Sequence, residues 1–319
     1  MSIISKNISK AIEILSNDDL VAIPTETVYG LAGNIYSEKA IMKIYEMKER
    51  PLFNPLIVHL SSIEKVNDVA SEFTQSAQKL AEAFWPGPLT MVFKKKSSVP
   101  NIVTAGKDTV GIRIPDHPVT LDLLKELPFP LAAPSANPFG CISPTSAAHV
   151  EKYFKNSLSM VLDGGHCKSG IESTIIGFEK EVPVIYRLGS ITIEEITAVI
   201  GPVEIKNKKD IAPDAPGMLS RHYAPKTSSY LVENADYFLS NLTNKKVGVL
   251  LFDKAIDAPN IAHSITLSKT GNLKEAASKL YESLHQLDVL NLDLIVIERF
   301  PDVGLGKSIN DRLERATHK

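Results

Sequence analysis

SEKAIMKIYEMKERPLFNPLIVHL, residues 37–60, reads as a helix that stops, turns and becomes a strand. Ile41, Ile44 and Tyr45 share one helical face, and Lys48, seven residues after Ile41, falls on that same face, so a cation points inward. Pro51 ends the helix, since its ring and missing N–H do not fit a helix interior. The apolar run LIVHL at 56–60 then has the length of a buried strand. Lys48, Arg50 and Asn54 bring two cations and an amide to the turn, a set that suits a polyphosphate. Cations also offset the dipole at a helix C-terminus, an effect worth at most about 1 kcal/mol and the plainer reason for their presence.

The same alternation of short strands and helical periodicity continues to about residue 205 and predicts an α/β (α+β) fold. Strands are expected at 20–24, 56–60, 89–94, 109–114, 129–133, 159–162, 173–178 and 182–188. Helices are marked by Ile8, Ile12 and Leu15, by the 37–50 segment, by Ala77, Leu80, Ala81 and Phe84, and by a capping box starting at Thr192. Residues 206–225, with three lysines, three prolines, one glycine and little periodicity, read as a linker with an unusual Arg221-His222-Tyr223 cluster. After it, 246–252, 261–267, 272–290 and 292–300 form a β-β-α-β series, a smaller Rossmann-like open-sheet domain with its own core. The expected division is therefore 1–205, 206–225 and 226–319, consistent with a length of 319 residues, which exceeds the usual reach of one core.

Composition excludes several classes. With 44% hydrophobic and 23% charged residues the chain is globular rather than disordered. Its 35 Lys plus Arg against 37 Asp plus Glu, a formal charge of -2, give no permanent nucleic-acid partner, so contact with tRNA would be local and transient. Cys141 and Cys167 form neither a disulfide framework nor a zinc pattern, and a reducing, cytoplasmic location fits them. No apolar run reaches the ~20 residues of a membrane helix, and the N-terminus lacks a signal-peptide pattern. Gly304-Leu305-Gly306-Lys307-Ser308 imitates the end of a phosphate-binding loop, but Pro301 stands where that loop needs a glycine, and a capped start to the last helix, SINDRLERA, is the better reading.

In the strand 109–114, period two places Val110, Ile112 and Ile114 on one face and Thr109, Gly111 and Arg113 on the other. Glycine admits a ligand closely and arginine can grip a carboxylate in bidentate fashion. His59, inside an apolar strand, is more often a satisfied core residue than a ligand or base. Three polar loops follow strands, around Ser135 and Asn137, at Asp163-Gly164-Gly165, and at Glu172-Ser173-Thr174. Any one could be a turn, but together with Tyr186-Arg187-Leu188-Gly189 they mark the end of a sheet where α/β proteins bind ligands.

In order, PTETVYGLAGN (24–34), KERPLFNPLIVH (48–59), FWPGPLT (84–90), VGIRIPDH (110–117), APSAN (133–137), GIESTI (170–175) and YRLG (186–189) resemble the YrdC-like domain, a twisted mixed sheet with flanking helices. APGMLSRHYAP (215–225) and the segment after it resemble the long form of the threonylcarbamoyl-AMP synthases, with Ala215 standing where serine is expected. The resemblance implies an enzyme that joins L-threonine, bicarbonate or CO2, and ATP into threonylcarbamoyl-AMP and pyrophosphate, for the threonylcarbamoyladenosine of tRNA. It implies a threonine site at Thr27, His59, Arg113, Ala133 and Ser173. It implies an ATP site at Arg50, Asn54, Thr109, Ser135, Asn137, Ser143, Arg187 and Tyr223. Lys48 and Arg50 would neutralise phosphate in the reaction, with Mg2+ held through the ATP phosphates and no dedicated metal cage. The product would pass to a tRNA threonylcarbamoyltransferase machinery, and Arg221, His222 and Tyr223 would close over the loaded site, hinged by Gly217. An RNA-binding module is the alternative from another class, and a zinc-carrying carbamoyltransferase branch is set aside by the two isolated cysteines.

Overall fold

The computed structural model describes residues 3–207, 216 and 222–318. Eleven strands form one mixed sheet: β1 Ile4–Ser5, β2 Val21–Ile23, β3 Gly30–Asn34, β4 Ile57–His59, β5 Leu89–Lys94, β6 Thr109–Arg113, β7 Leu131–Ala132, β8 Met160–Leu162, β9 Thr174–Glu179, β10 Val182–Arg187 and β11 Glu204–Ile205. Their spatial order is β1-β8-β2-β3-β7-β4-β6-β5-β9-β10-β11. The helices flanking them are α1 Ile8–Ser16, α2 Glu38–Lys48, α3 Val66–Val69, α4 Gln75–Phe84, α5 Pro118–Glu126, α6 Ala147–Phe154 and α7 Ile193–Ile200.

Local chemistry sets most helix ends. Asn7, Ser37, Thr74, Ser146 and Thr192 each accept a backbone N–H in the first turn of the helix that follows, and Thr192 with Glu195 completes the expected capping box. Helix α2 ends where predicted, with Glu49 in the left-handed region just ahead of Arg50 and Pro51. Strand β3 was not anticipated, because its sequence GLAGN carries two glycines. Packing favours the second of them: a Cβ on Gly33 would lie 2.9 Å from Leu20 Cδ2 and 3.2 Å from Ile44 Cδ1 of α2, so glycine lets α2 and β3 pack closely.

The C-terminal region has a four-stranded parallel sheet in the order β12-β15-β13-β14, from β12 Ser229–Val232, β13 Val247–Leu251, β14 Ile261–Thr266 and β15 Leu294–Glu298, with helices α8 Ala235–Ser240, α9 Leu273–Leu287 and α10 Leu305–Thr317. The open parallel sheet was expected; β12 and α8 were not, being too short to show a period. The expected core of its own is present on one face of this sheet, and the other face is shared. Ala235, Leu239, Val249 and Val296 make a cluster confined to this region. On the other face Leu280, Tyr281, Leu284 and Leu313 pack with Val28, Ile142, Ile171 and Tyr223 from the first 225 residues. Burying such side chains contributes roughly 1.5–3 kcal/mol each, so a shared cluster joins two regions that each also keep a core of their own.

The last helix begins at Gly304 without a side-chain cap, contrary to the expected capped start. Lys307 reaches Glu194 at 2.8 Å and Ser308 Oγ donates to the Gly189 carbonyl at 2.8 Å, so this stretch packs against the first region. The linker reading is also corrected at its described end. His222 N–H donates to the Arg315 carbonyl, Ala224 N–H to the Gly140 carbonyl, and Tyr223 is 1% exposed. Ala215, Gly217 and Arg221 lie outside the described residues.

Candidate active site

Seven separated stretches converge on one cavity. Strand β4 pairs parallel with β6 so that His59 stands opposite Arg113, and antiparallel with β7, which carries the chain into Ala133, Pro134 and Ser135. The 25–28 turn supplies Thr27 and Val28, the loop before β9 supplies Glu172 and Ser173, and β10 supplies Arg187 just past a register shift that re-aims it. Pro216, His222 and Tyr223 cover the remaining side. The free space inside is about 50 Å3, room for about four waters at 10–15 Å3 each.

Three guanidinium groups line this space, each 95% buried or nearly so. Arg113 Nη2 donates to Thr27 Oγ1 at 2.8 Å and lies 2.7 Å from Glu26 Oε1, while its Nε is buried without a partner. Arg187 grips Ser173 through three bonds, to the carbonyl from Nε and Nη2 and to Oγ from Nη2, and donates through Nη1 to the Pro216 carbonyl at 3.2 Å. Arg50 donates to the Asn54 carbonyl, Asn54 Oδ1 and the Pro55 carbonyl. Among the described residues no carboxylate pairs with Arg50 or Arg187. Burial, with Arg187 nearby, brings Arg50 down to about 10, which still leaves it charged at neutral pH. A buried charge held by neutral acceptors alone is one that an anion would stabilise.

His59 is kept neutral: burial, and then the charge of Arg113, lower it to about 3. Its Nδ1 lies 3.2 Å from the Ile57 carbonyl, which can only accept, so Nδ1 carries the proton and Nε2 is bare. His222 is lowered well below the ordinary histidine range by burial and by Arg50, Lys48 and Arg187, and its Nδ1 is a further buried atom without a partner.

Thr27, Arg50, His59, Arg113, Ala133, Ser135, Ser173, Arg187 and Tyr223 are all brought to the cavity wall. The remaining expected residues are placed elsewhere. Lys48, expected to touch phosphate, turns its Nζ onto the carbonyls of Ser135 (2.6 Å) and Asn137, because those acceptors sit directly under the end of α2. Asn54 holds Arg50. Asn137 spans its own loop, donating to the Pro138 and Cys141 carbonyls. Ser143 donates to Glu172 Oε1 at 2.6 Å. Thr109 lies in a small adjoining hollow that shares Ile57 and Pro216 with the cavity.

Sequence reasoning missed Glu26 and the network behind Glu172. Glu172 Oε2 accepts from Tyr281 OH at 2.9 Å and Arg312 Nε at 3.1 Å, both from the C-terminal region. Burial pushes Glu172 up, but Arg312, Arg187 and Ser143 outweigh it and hold the carboxyl below its ordinary range. The available signal was helical: in SINDRLERA, Arg312 and Arg315 stand beside Ile309, Leu313 and Ala316 on the face that must be buried.

Residues 13–189 match the family described as "Telomere recombination", and residues 191–317 match the family described as "Threonylcarbamoyl-AMP synthase, C-terminal domain". The chain belongs to the threonylcarbamoyl-AMP synthase family. The threonylcarbamoyl-AMP synthase of Bacillus subtilis is 38% identical to it, covering 97% of this chain and 92% of the relative. That of Pyrococcus abyssi is 39% identical over 93% of this chain and 90% of its own length. A crystal structure of Pyrococcus abyssi Sua5 complexed with L-threonine superposes with a TM-score of 0.90 at 38% identity, covering 97% of this chain and 94% of that one. The chain is thus an enzyme of the threonylcarbamoyl-AMP synthase family, with that family's two-part mixed and parallel α/β architecture.

Proposed function

We propose that the cavity binds L-threonine and the triphosphate of ATP side by side on separate guanidinium groups. The observation that carries this reading is the contrast between Arg113, which already sits against a carboxylate, and Arg50, buried against neutral acceptors only. The threonine carboxylate takes the partnerless Nε of Arg113, with Thr27, His59, Ala133 and Ser173 around it. The phosphates take Arg50, Arg187 and Ser135, and the nucleoside runs past Pro216 toward Thr109. Lys48, Asn54, Asn137 and Ser143 act from behind, holding the loop, Arg50 and Glu172 in position.

In the reaction, the neutral amine of threonine adds to bicarbonate with loss of water, or to CO2 with loss of a proton, giving a carbamate. A carbamate oxygen then attacks the α-phosphorus, its bond to the β-phosphate bridging oxygen breaks, and pyrophosphate leaves. No protein nucleophile takes part. The chain supplies orientation and fixed positive charge in a dry site. Among the described residues no group of three or more His, Cys, Asp or Glu is placed to hold a metal, and the cavity's Glu172 is fully engaged. Mg2+ would therefore arrive on the phosphates rather than in a protein cage, and would supply charge neutralisation there.

Closure by Tyr223 and His222 keeps water from a labile mixed anhydride, and the product passes in the cytoplasm to a tRNA threonylcarbamoyl transfer machinery, with the sequence divided near 205 and 225 into catalytic, covering and C-terminal parts. No helix is long and apolar enough to cross a membrane among the described residues. Pyrophosphate release with each substrate omitted in turn tests the reaction. Release is expected only when threonine, bicarbonate and ATP are all present; release without threonine or without inorganic carbon would contradict it.

A further inference from the structure

His59 has two sides. It lines the cavity, and it is the one residue of that lining that also lines a second hollow of about 240 Å3, behind β4. The geometry of the sheet causes this. His59 ends β4 between Arg113 of β6 and Leu131 of β7, and the next residue, Leu60, donates its N–H to the Arg113 carbonyl and carries the chain away along the far wall. The hollow has an apolar floor from Leu124, Leu127 and Phe129. Its rim carries Ser61, Lys65, Asp68 and Lys125. The two lysines have only loose surface partners, Asp68 at 3.7 Å and Asp122 at 3.4 Å.

The opposite side of the cavity is covered. Pro216, tied to Arg187, and His222 and Tyr223 lie over it, and the interior has only about 50 Å3 free. The third reactant has three or four heavy atoms, and among the described residues lining the cavity His59 is the one that also lines the hollow. That side chain is neutral, with Nδ1 turned to Ile57 and Nε2 unprotonated, so it places no fixed charge across the opening.

We propose that the hollow behind His59 is the port by which the one-carbon reactant, CO2 or bicarbonate, reaches the threonine amine after the nucleotide side has closed, with the His59 ring as its gate. The proposal rests on the reaction described above. It assigns the order of events: threonine and ATP enter first, inorganic carbon last.

Plugging the hollow from its rim tests it in the full-length protein. Ser61→Trp fills the mouth from a position outside the cavity, and Lys125→Trp does so from the opposite rim at an exposed site, which serves if the first variant folds poorly. Pyrophosphate release is followed against inorganic carbon at saturating threonine and ATP, using short pulses of dissolved CO2 or of bicarbonate before they interconvert, and again with carbonic anhydrase added. Either plug should raise the KM for whichever species the unmodified enzyme uses by roughly tenfold, with the KM values for threonine and ATP within about twofold of the unmodified ones. An unchanged KM for both species in a folded plug variant, or an equal rise for all three reactants, overturns the port. If the unmodified enzyme itself releases no pyrophosphate with all three present, the reaction fails and not the port alone.

Discussion

Arg312, in the last helix, places its Nε 3.1 Å from Glu172 Oε2 in the loop before β9, and both side chains are at least 92% buried. The pair joins residues 140 positions apart, and Glu172 is next to Ser173, which Arg187 holds. The C-terminal sheet is thereby wired to the wall of the cavity, through Arg312, Tyr281 and the Tyr223 ring, whose centroid lies 5.5 Å from the Arg312 guanidinium carbon.

Removing one member of a buried pair leaves the other charge uncompensated, at a cost of about 3–5 kcal/mol. Arg312→Ala should therefore lower the urea midpoint strongly, whereas Arg312→Ala with Glu172→Gln should recover part of the loss. A midpoint within experimental scatter of the unmodified protein for Arg312→Ala would show that the pair does not join the two regions.

Acid should destabilise the fold in two stages. His59 and His285 are both depressed to about 3, first by burial and then by Arg113 and His149 respectively. Their neutral forms contribute stability above the unfolded value of about 6.5, and that contribution falls as pH drops below it, by up to about 1.4 kcal/mol per pH unit and group, until the folded values near 3 are reached. Glu172, also depressed, contributes above about 4.5 and is lost below that. Urea midpoints measured from pH 8 to 4 should fall from about 6.5 downward, and His285→Gln should reduce that slope; a flat profile to pH 5 would contradict the buried neutral histidines.

Lys48→Met keeps the volume of the stem and removes the two bonds to the Ser135 and Asn137 carbonyls. Burial, and then the charge of Arg50, push the Lys48 amine well below its ordinary range, and each hydrogen bond to a buried carbonyl contributes about 0.5–1.5 kcal/mol. The loop that presents Ala133 and Ser135 should lose its register, lowering kcat/KM by roughly 10- to 100-fold with no selective rise in the KM for ATP. A rise confined to ATP would restore Lys48 to direct phosphate contact.

Tyr223→Ala removes a ring that packs on Tyr281 and covers the cavity. The fraction of threonylcarbamoyl-AMP lost to hydrolysis before it can be trapped should rise, measured by chromatography of the product with time. Unchanged product lifetime in the enzyme's presence would remove the covering role.

Much of this was legible beforehand, for reasons that are local. Helix α2 and strand β4 show their periods and their proline stop, so the placement of Arg50 and His59 follows from nearby residues alone. Arg113 is marked by its strand neighbours Thr109 and Gly111. What was not legible depends on distant partners. Lys48 faces inward as expected, yet whether it meets phosphate or carbonyl is decided by a loop 87 residues later. Glu26 gains its meaning from Arg113, and Arg312 from Glu172. No period in these segments encodes a contact between residues so far apart in the sequence.

Separate charges for the two substrates are the central claim, and paired steady-state titrations of Arg113→Ala and Arg187→Ala test it most directly. Arg113→Ala should raise the KM for threonine by roughly 10- to 100-fold, as expected for a lost charged hydrogen bond, and leave that for ATP nearly unchanged, while Arg187→Ala should do the reverse. Equal rises for both substrates in both variants would contradict it.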